Sequence, residues 1–270
     1  MSTWPNRATR EPRAISTALL AVSAVFLFAA CSDSNSGYTP TEPPPPTATV
    51  ITASGSITAK VDEYRQLLGD PKNGGTVPGP ATAGRREINW DGVAAANVNT
   101  NTFPGDFFNT TTKLGLVMTT PGTGFRVSDN DFADVNVAFG DAFNAFSPAK
   151  TFAAVGSNVM DVTFQVAAGT AAASVAGFGV VFADVDVAGG TKIEAFDKAG
   201  TSLGVFNAPV RSDATGFSFI GIKFDSPIIA RVRITSGTGA LGAQAQDVSS
   251  GGAADLVVMD DFLYSEPIPQ

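Results

Sequence analysis

The sequence predicts an all-β fold in which two antiparallel sheets pack face to face as a sandwich. The clearest evidence lies at residues 159–166, where Met160, Val162 and Phe164 alternate with polar residues, as in a strand with one buried face. About ten such short apolar runs follow one another at regular spacing, separated by turn-forming residues. Only one stretch has a helical pattern. A parallel sheet needs a helix or similar crossover between successive strands, so one helix is too few.

The composition agrees with this fold and excludes several kinds of site. Hydrophobic residues make up 44% of the 270-residue chain, and the 28 glycines and 20 phenylalanines are typical of a β protein with many turns. The formal charge of −8 argues against a nucleic-acid partner, which requires clustered Lys and Arg. Because the chain has no histidine and one cysteine, the commonest general base is missing and a structural zinc site is excluded.

Residues 1–30 predict an export signal. Arg7, Arg10 and Arg13 form a positively charged start, and the apolar run behind them is too short for a membrane span. The single Cys31 follows in the string LFAAC, which resembles a bacterial lipoprotein signal apart from the Phe, where an aliphatic residue is usual. The resemblance implies that Cys31 is acylated and anchors an exported protein to a membrane of the cell envelope. The alternative is an ordinary cleaved signal with an incidental cysteine.

Residues 31–57 predict a disordered tether, and residues 58–270 predict one β-sandwich domain. The tether is rich in Ser, Thr and Pro, with four consecutive prolines at 43–46. Such a segment buries too little apolar surface to fold, and consecutive prolines favour an extended spacer. A spacer behind an acylated cysteine would hold the folded domain away from the bilayer.

The pattern at residues 58–68 predicts one short N-terminal helix. Val61, Tyr64, Leu67 and Leu68 recur at a spacing that places them on one side of a helix. Gly69 is suited to end the helix, and Pro71 prevents its continuation.

A central strand is predicted at residues 175–187, which read VAGFGVVFADVDV. Phe178, Val180 and Phe182 share one face, whereas Gly177 and Gly179 leave the other face nearly bare. We expect a neighbouring element to lie close against the bare face. Further strands are predicted at 86–90, 114–118, 125–127, 159–166, 191–196, 203–206, 217–224, 228–234 and 256–264, with polar surface loops at 97–108 and 128–145.

Four segments carry a resemblance to a group of known modules. GFGVVFADVD, IEAFDKAGTSLG, FSFIGIKFDSPIIARVRITSG and VVMDDFLY occur in this order and resemble β-sandwich, jelly-roll-like modules of exported bacterial proteins, many of which carry a PEP-CTERM sorting tail. The resemblance covers the chain from about residue 60 onward. It implies a jelly-roll-like sandwich, and similar sandwiches in carbohydrate-binding modules often hold a structural calcium ion.

Two acidic pairs are the candidate metal ligands. Asp184 and Asp186 continue the bulky face of the central strand where it leaves the core, and Asp260 and Asp261 interrupt the apolar run at 256–264. By strict alternation, one of the latter two carboxylates points inward and needs a partner or an ion. Calcium prefers such oxygen ligands, so all four residues are predicted to share one calcium site. The alternative is that they cap loops, face water or pair with the arginines of the strand at 228–234.

The predicted function is non-catalytic binding or display by an exported, membrane-tethered lipoprotein. Its expected partners are the membrane, through the lipid anchor, and polysaccharide or extracellular matrix. One alternative is a carbohydrate-active enzyme, a glycoside hydrolase or lyase, that uses an acidic pair and needs no histidine. The other is a purely structural envelope protein. No catalytic residue is assigned from the sequence.

Overall fold

The computed structural model describes residues 46–140, 142–213 and 216–270. In these residues, fourteen strands form two antiparallel seven-stranded sheets, which confirms the predicted all-β two-sheet sandwich. The strands are β1 (Thr49–Gly55), β2 (Arg85–Ile88), β3 (Leu116–Thr119), β4 (Gly124–Ser128), β5 (Thr151–Val155), β6 (Val159–Gln165), β7 (Ala172–Ser174), β8 (Gly177–Ala183), β9 (Lys192–Phe196), β10 (Ser202–Asn207), β11 (Phe217–Lys223), β12 (Arg231–Thr235), β13 (Val258–Ser265) and β14 (Ile268–Pro269). The helices are α1 (Thr58–Leu68) and α2 (Phe107–Thr110).

The order of strands places β8 near the middle of one sheet. The first sheet runs β1-β11-β8-β13-β5-β4, with β2 pairing with β13. The second sheet runs β10-β9-β12-β6-β7-β14, with β3 pairing with β6. No helix among the described residues is long and apolar enough to cross a membrane.

The main core lies between the two sheets and follows the predicted alternation. Phe178 and Phe182 of β8 are fully buried there against residues of the second sheet such as Phe164, Val232 and Ile234. The polar residues that alternate with the core residues of β6 and β12 lie on the outer face of the second sheet, where Asp161 pairs with both Arg231 and Arg233. The second sheet therefore keeps one face toward water, as alternating antiparallel strands usually do.

The bare face of β8 receives the side chain of Tyr64 from α1. A Cβ atom at Gly179 would lie 2.6 Å from Tyr64 Cε1, and one at Gly221 of β11 would lie equally close to the same ring. The Tyr64 hydroxyl donates a hydrogen bond to the carbonyl oxygen of Ile222 at 2.8 Å. The expected close neighbour is thus α1, whose predicted bounds are also confirmed.

The folded domain begins before residue 58, so the predicted end of the tether needs correction. Residues 49–55 form β1, which pairs along its whole length with β11 at the edge of the first sheet. The sequence TVITASG is polar enough to resemble a tether, but pairing with a distant strand satisfies its backbone and Ile51 is buried against α1. Residues 1–45, which include the predicted export signal and most of the tether, lie outside the described residues.

Both segments predicted as surface loops contribute buried aromatic rings, which is a second correction. In the first segment, Phe103 and Phe108 pack around Trp90, which itself stacks on Phe152 with ring centroids 3.9 Å apart. Phe107 and Phe108 also belong to the short helix α2, which was not predicted. The second segment buries Phe132, Phe139 and Phe143 on the outer face of the first sheet. The irregular spacing of these rings concealed their burial.

Candidate functional site

The acidic pair in β13 sits at a β-bulge, which corrects the expectation that one carboxylate points inward. Met259 and Phe262 both lie in the core between the sheets, although two residues separate them. The pairing of β13 with β8 shifts between these positions. Asp260 and Asp261 therefore both lie on the outer side of the first sheet, because a bulge sets two residues opposite one.

The Asp260 carboxylate is buried and held by the segment at 146–147. Its Oδ2 accepts hydrogen bonds from the backbone N–H groups of Phe146 (2.6 Å) and Ser147 (3.0 Å), and its Oδ1 accepts one from the Ser147 hydroxyl (2.9 Å). Burial, reinforced by the neighbouring Asp261, raises the pKa of Asp260 to about 8. The Asp261 pKa is also raised by burial, while Arg65 of α1 lies 3.3 Å from its Oδ2 and opposes the shift. The pair thus joins α1 and the 146–147 segment to the sheet.

The other predicted acids, Asp184 and Asp186, belong to a separate group just beyond the end of β8. Each offers a carboxylate oxygen that lies within 4.8 Å of one from the other and of one from Asp247. Asp260 and Asp261 are not in this group, so the structure does not bring the four predicted ligands together. Asp255 adjoins the group and accepts hydrogen bonds from the backbone N–H groups of Asp186 (3.1 Å) and residue 187 (3.0 Å).

One arginine shares this group of carboxylates. Arg211 donates from Nε and Nη2 to the two carboxylate oxygens of Asp186, at 2.6 and 3.1 Å, and its Nη1 contacts Oδ1 of Asp184. Burial raises the pKa of Asp184 to about 7; Arg211 opposes that shift, and the charges of Asp247, Asp186 and Asp255 add to it. The arrangement supplies only oxygen ligands, which are those that calcium prefers. It also supplies, in Arg211, a competing cation.

A solvent-accessible pocket of about 400 Å³ lies beside β4 and β5, which form one edge of the first sheet. Arg126 of β4 and Ala153 of β5 are register partners and both line it. Its remaining walls come from the end of β5, from the chain before β4 and from two later segments. They include Asn99, Asn101, Phe132, Asp134, Val155 and Leu241.

Arg126 organises the polar side of this pocket. Its Nη1 donates to Oδ1 of Asn101 at 2.8 Å, and its Nη2 donates to Oδ2 of Asp134. Asn99 is held by Asp129, whose Oδ1 accepts from the Asn99 side-chain amide at 2.6 Å. Gly124 permits this packing, because a Cβ atom there would lie 2.5 Å from the Asn101 carbonyl oxygen and its φ of +156° disfavours other residues.

The sequence identified none of the residues of this pocket as a site. Asn99 and Asn101 fall within the segment predicted as a polar surface loop, and Asp134 falls in the second such segment. One signal was present, because Arg126 is a charged residue between two core residues, Phe125 and Val127, and therefore faces the side of the strand opposite the core. Asp247 and Arg211 were not predicted as site residues either, because they are distant from Asp184 in the sequence and only the fold brings them close to it.

Cys31, the predicted lipidation site, lies outside the described residues, so its acylation stays a prediction. Comparisons of the chain with protein-family models, with curated proteins and with solved structures find no match.

Proposed function

We propose that this chain is an exported lipoprotein, anchored through Cys31, whose β-sandwich binds polysaccharide without catalysis. The observation that carries the proposal is the pocket around Arg126. Its volume falls in the range of ordinary ligand sites, and it combines apolar walls with a few fixed polar groups.

The chemistry of the pocket suits a neutral, hydroxyl-rich ligand. The amides of Asn99 and Asn101 both donate and accept hydrogen bonds, as do sugar hydroxyls. Asp134 offsets the charge of Arg126, so the pocket does not favour a strongly anionic ligand. Val155 and Leu241 offer apolar surface to the C–H groups of a sugar ring.

The burial of the predicted acids favours binding over glycoside hydrolysis. An enzyme of that class needs two carboxyl groups on either side of a bond that the substrate brings to them. Asp260 is fully buried and carries three hydrogen bonds from Phe146 and Ser147, and Asp184 is buried beside Arg211. The Asp260 carboxyl group is therefore engaged within the fold, and neither Asp260 nor Asp184 lines the pocket around Arg126.

The test is a glycan array probed with the full chain. We expect binding to a subset of neutral polysaccharides, and a loss of at least tenfold in affinity for Arg126→Ala and for Asn101→Ala. Arg233→Ala is the matched control, because Arg233 also pairs with an aspartate but lies on the exposed face of the second sheet.

Circular dichroism checks that each variant is folded. Absence of binding to every glycan would favour the structural-protein alternative. Binding that Arg233→Ala abolishes and Arg126→Ala leaves intact would place the site on the second sheet and refute the assignment of the pocket.

A further inference from the structure

We propose that Asp184, Asp186 and Asp247 bind one calcium ion, which takes the place of the Arg211 guanidinium. The group lies where the chain leaves β8, with Asp184 and Asp186 on the segment after that strand and Asp247 on a later segment. This inference is independent of the proposed sugar site, because none of these residues lines the pocket around Arg126.

The spacing of the three carboxylates fits a single ion. Calcium binds oxygen at 2.3–2.6 Å, so two oxygens on one ion lie at most about 5 Å apart. The three oxygens lie within 4.8 Å of one another, inside that limit. Calcium also accepts irregular geometry and completes its shell with water, whereas magnesium requires near-octahedral ligands.

A second observation points to a ligand that the protein does not itself supply. The Asp184 side chain is fully buried, and its Oδ2 receives no hydrogen bond from any of the described residues. A buried carboxylate oxygen without a donor is costly, and carboxylates in such positions usually receive several donors. A cation at the centre of the group would supply the missing partner.

The neighbouring carboxylates, unlike that of Asp184, accept hydrogen bonds from the backbone. Asp247 accepts from the backbone N–H groups of Ser249 (2.6 Å) and Leu256 (2.7 Å), and Asp255 is held by two backbone N–H groups. These bonds orient Asp247 and leave lone pairs on its oxygens. Backbone N–H groups thus position the Asp247 carboxylate, whereas Oδ2 of Asp184 has no hydrogen-bond donor in the described part of the chain.

The charges of the group favour exchange of the guanidinium for a divalent ion. The carboxylates of Asp184, Asp186, Asp247 and Asp255 interact with one another, and Arg211 compensates only one of these charges. Calcium brings twice the charge of a guanidinium. Because Arg211 contacts Asp184 Oδ1, calcium and Arg211 compete for that carboxylate.

The experiment titrates calcium, with magnesium as comparison, into the metal-stripped full chain by calorimetry and by thermal melting. We expect one calcium per chain and a rise in melting temperature of roughly 5–10 °C at a hundredfold excess over Kd. Asp247→Asn should weaken binding at least tenfold. Arg211→Gln should strengthen it, because the competing cation is gone.

The matched control is Asp197→Asn. Asp197 also accepts two backbone N–H bonds, from Ala199 and Thr201, but it lies in an exposed turn. If Asp247→Asn does not fold, Asp186→Asn replaces it, because Asp186 is only partly buried. Asp260→Asn should leave calcium binding unchanged.

Three results would overturn the proposal. One is the absence of calcium binding in both the natural chain and Arg211→Gln. Another is equal loss of binding in Asp197→Asn and Asp247→Asn. The third is abolition of binding by Asp260→Asn, which would restore the ligand set that the sequence predicts.

Discussion

Replacing Gly179 by Ala places a methyl group in the space that the Tyr64 ring occupies. The added Cβ would lie 2.6 Å from Tyr64 Cε1 and 3.1 Å from Phe219 Cζ, both well inside van der Waals contact. Either the ring or α1 must move, and both are tied to the sheet by the Tyr64–Ile222 hydrogen bond. Overpacking of this kind costs about 1–3 kcal/mol of unfolding free energy.

The assay is equilibrium unfolding in urea, followed by circular dichroism. Gly92→Ala is the control, because a Cβ atom at Gly92 has no neighbour within 4 Å. In a Tyr64→Ala background the methyl group at position 179 meets less crowding, so most of its cost should disappear. A Gly179→Ala cost equal to that of Gly92→Ala, or one unchanged by removal of the ring, would show that Tyr64 does not lie on the glycine face.

Two further predictions follow from the acidic pair and from the cysteine. Because burial raises the pKa of Asp260 to about 8 from an ordinary value of 3.8, the native state holds a proton that the unfolded state releases, so unfolding free energy should fall as pH rises from about 4 to about 8. Asp260→Asn should make this decline shallower in urea unfolding measured across that range. An equally steep decline in the variant would show that Asp260 is not the group with the raised pKa. Cys31→Ser should move the protein from the membrane fraction to the soluble fraction, and continued membrane attachment of that variant would show that Cys31 is not the anchor.

The sandwich could be predicted because its strands are regular. The alternation in β8 specified both of its faces. The core face is formed by Phe178, Val180 and Phe182. The other face, with Gly177 and Gly179, leaves room for a closely packed neighbour. A local pattern sufficed there, because the period of a strand is two residues and both faces carry a distinct signal.

The elements that were predicted wrongly depend on contacts with distant parts of the chain. Strand β1 looks like a tether until β11 is set beside it, and the bulge at Asp260 and Asp261 is visible only in the register with β8. Nothing in a local pattern marks an extra residue inserted into a strand, so strict alternation sent one carboxylate to the wrong side.

The candidate sites were predictable only in part, for the same reason. Asp184 and Asp186 stood out because carboxylates followed a run of core residues. Their partners Asp247 and Arg211 lie 63 and 27 residues from Asp184 along the chain, in segments without a regular period. The pocket around Arg126 likewise draws its polar groups from irregular segments, whose folding is specified by scattered aromatic anchors and not by periodicity.

The order of strands in the first sheet has a consequence for how a bound ligand is presented. The described chain enters the sheet through β1, whereas Arg126 lies on β4, and these two strands form opposite edges of the sheet. Five interstrand spacings of about 4.8 Å separate them, or about 24 Å. If the protein is attached through the chain that precedes β1, the attachment lies at the β1 edge of the first sheet. The pocket then lies at the opposite, β4 edge of that sheet.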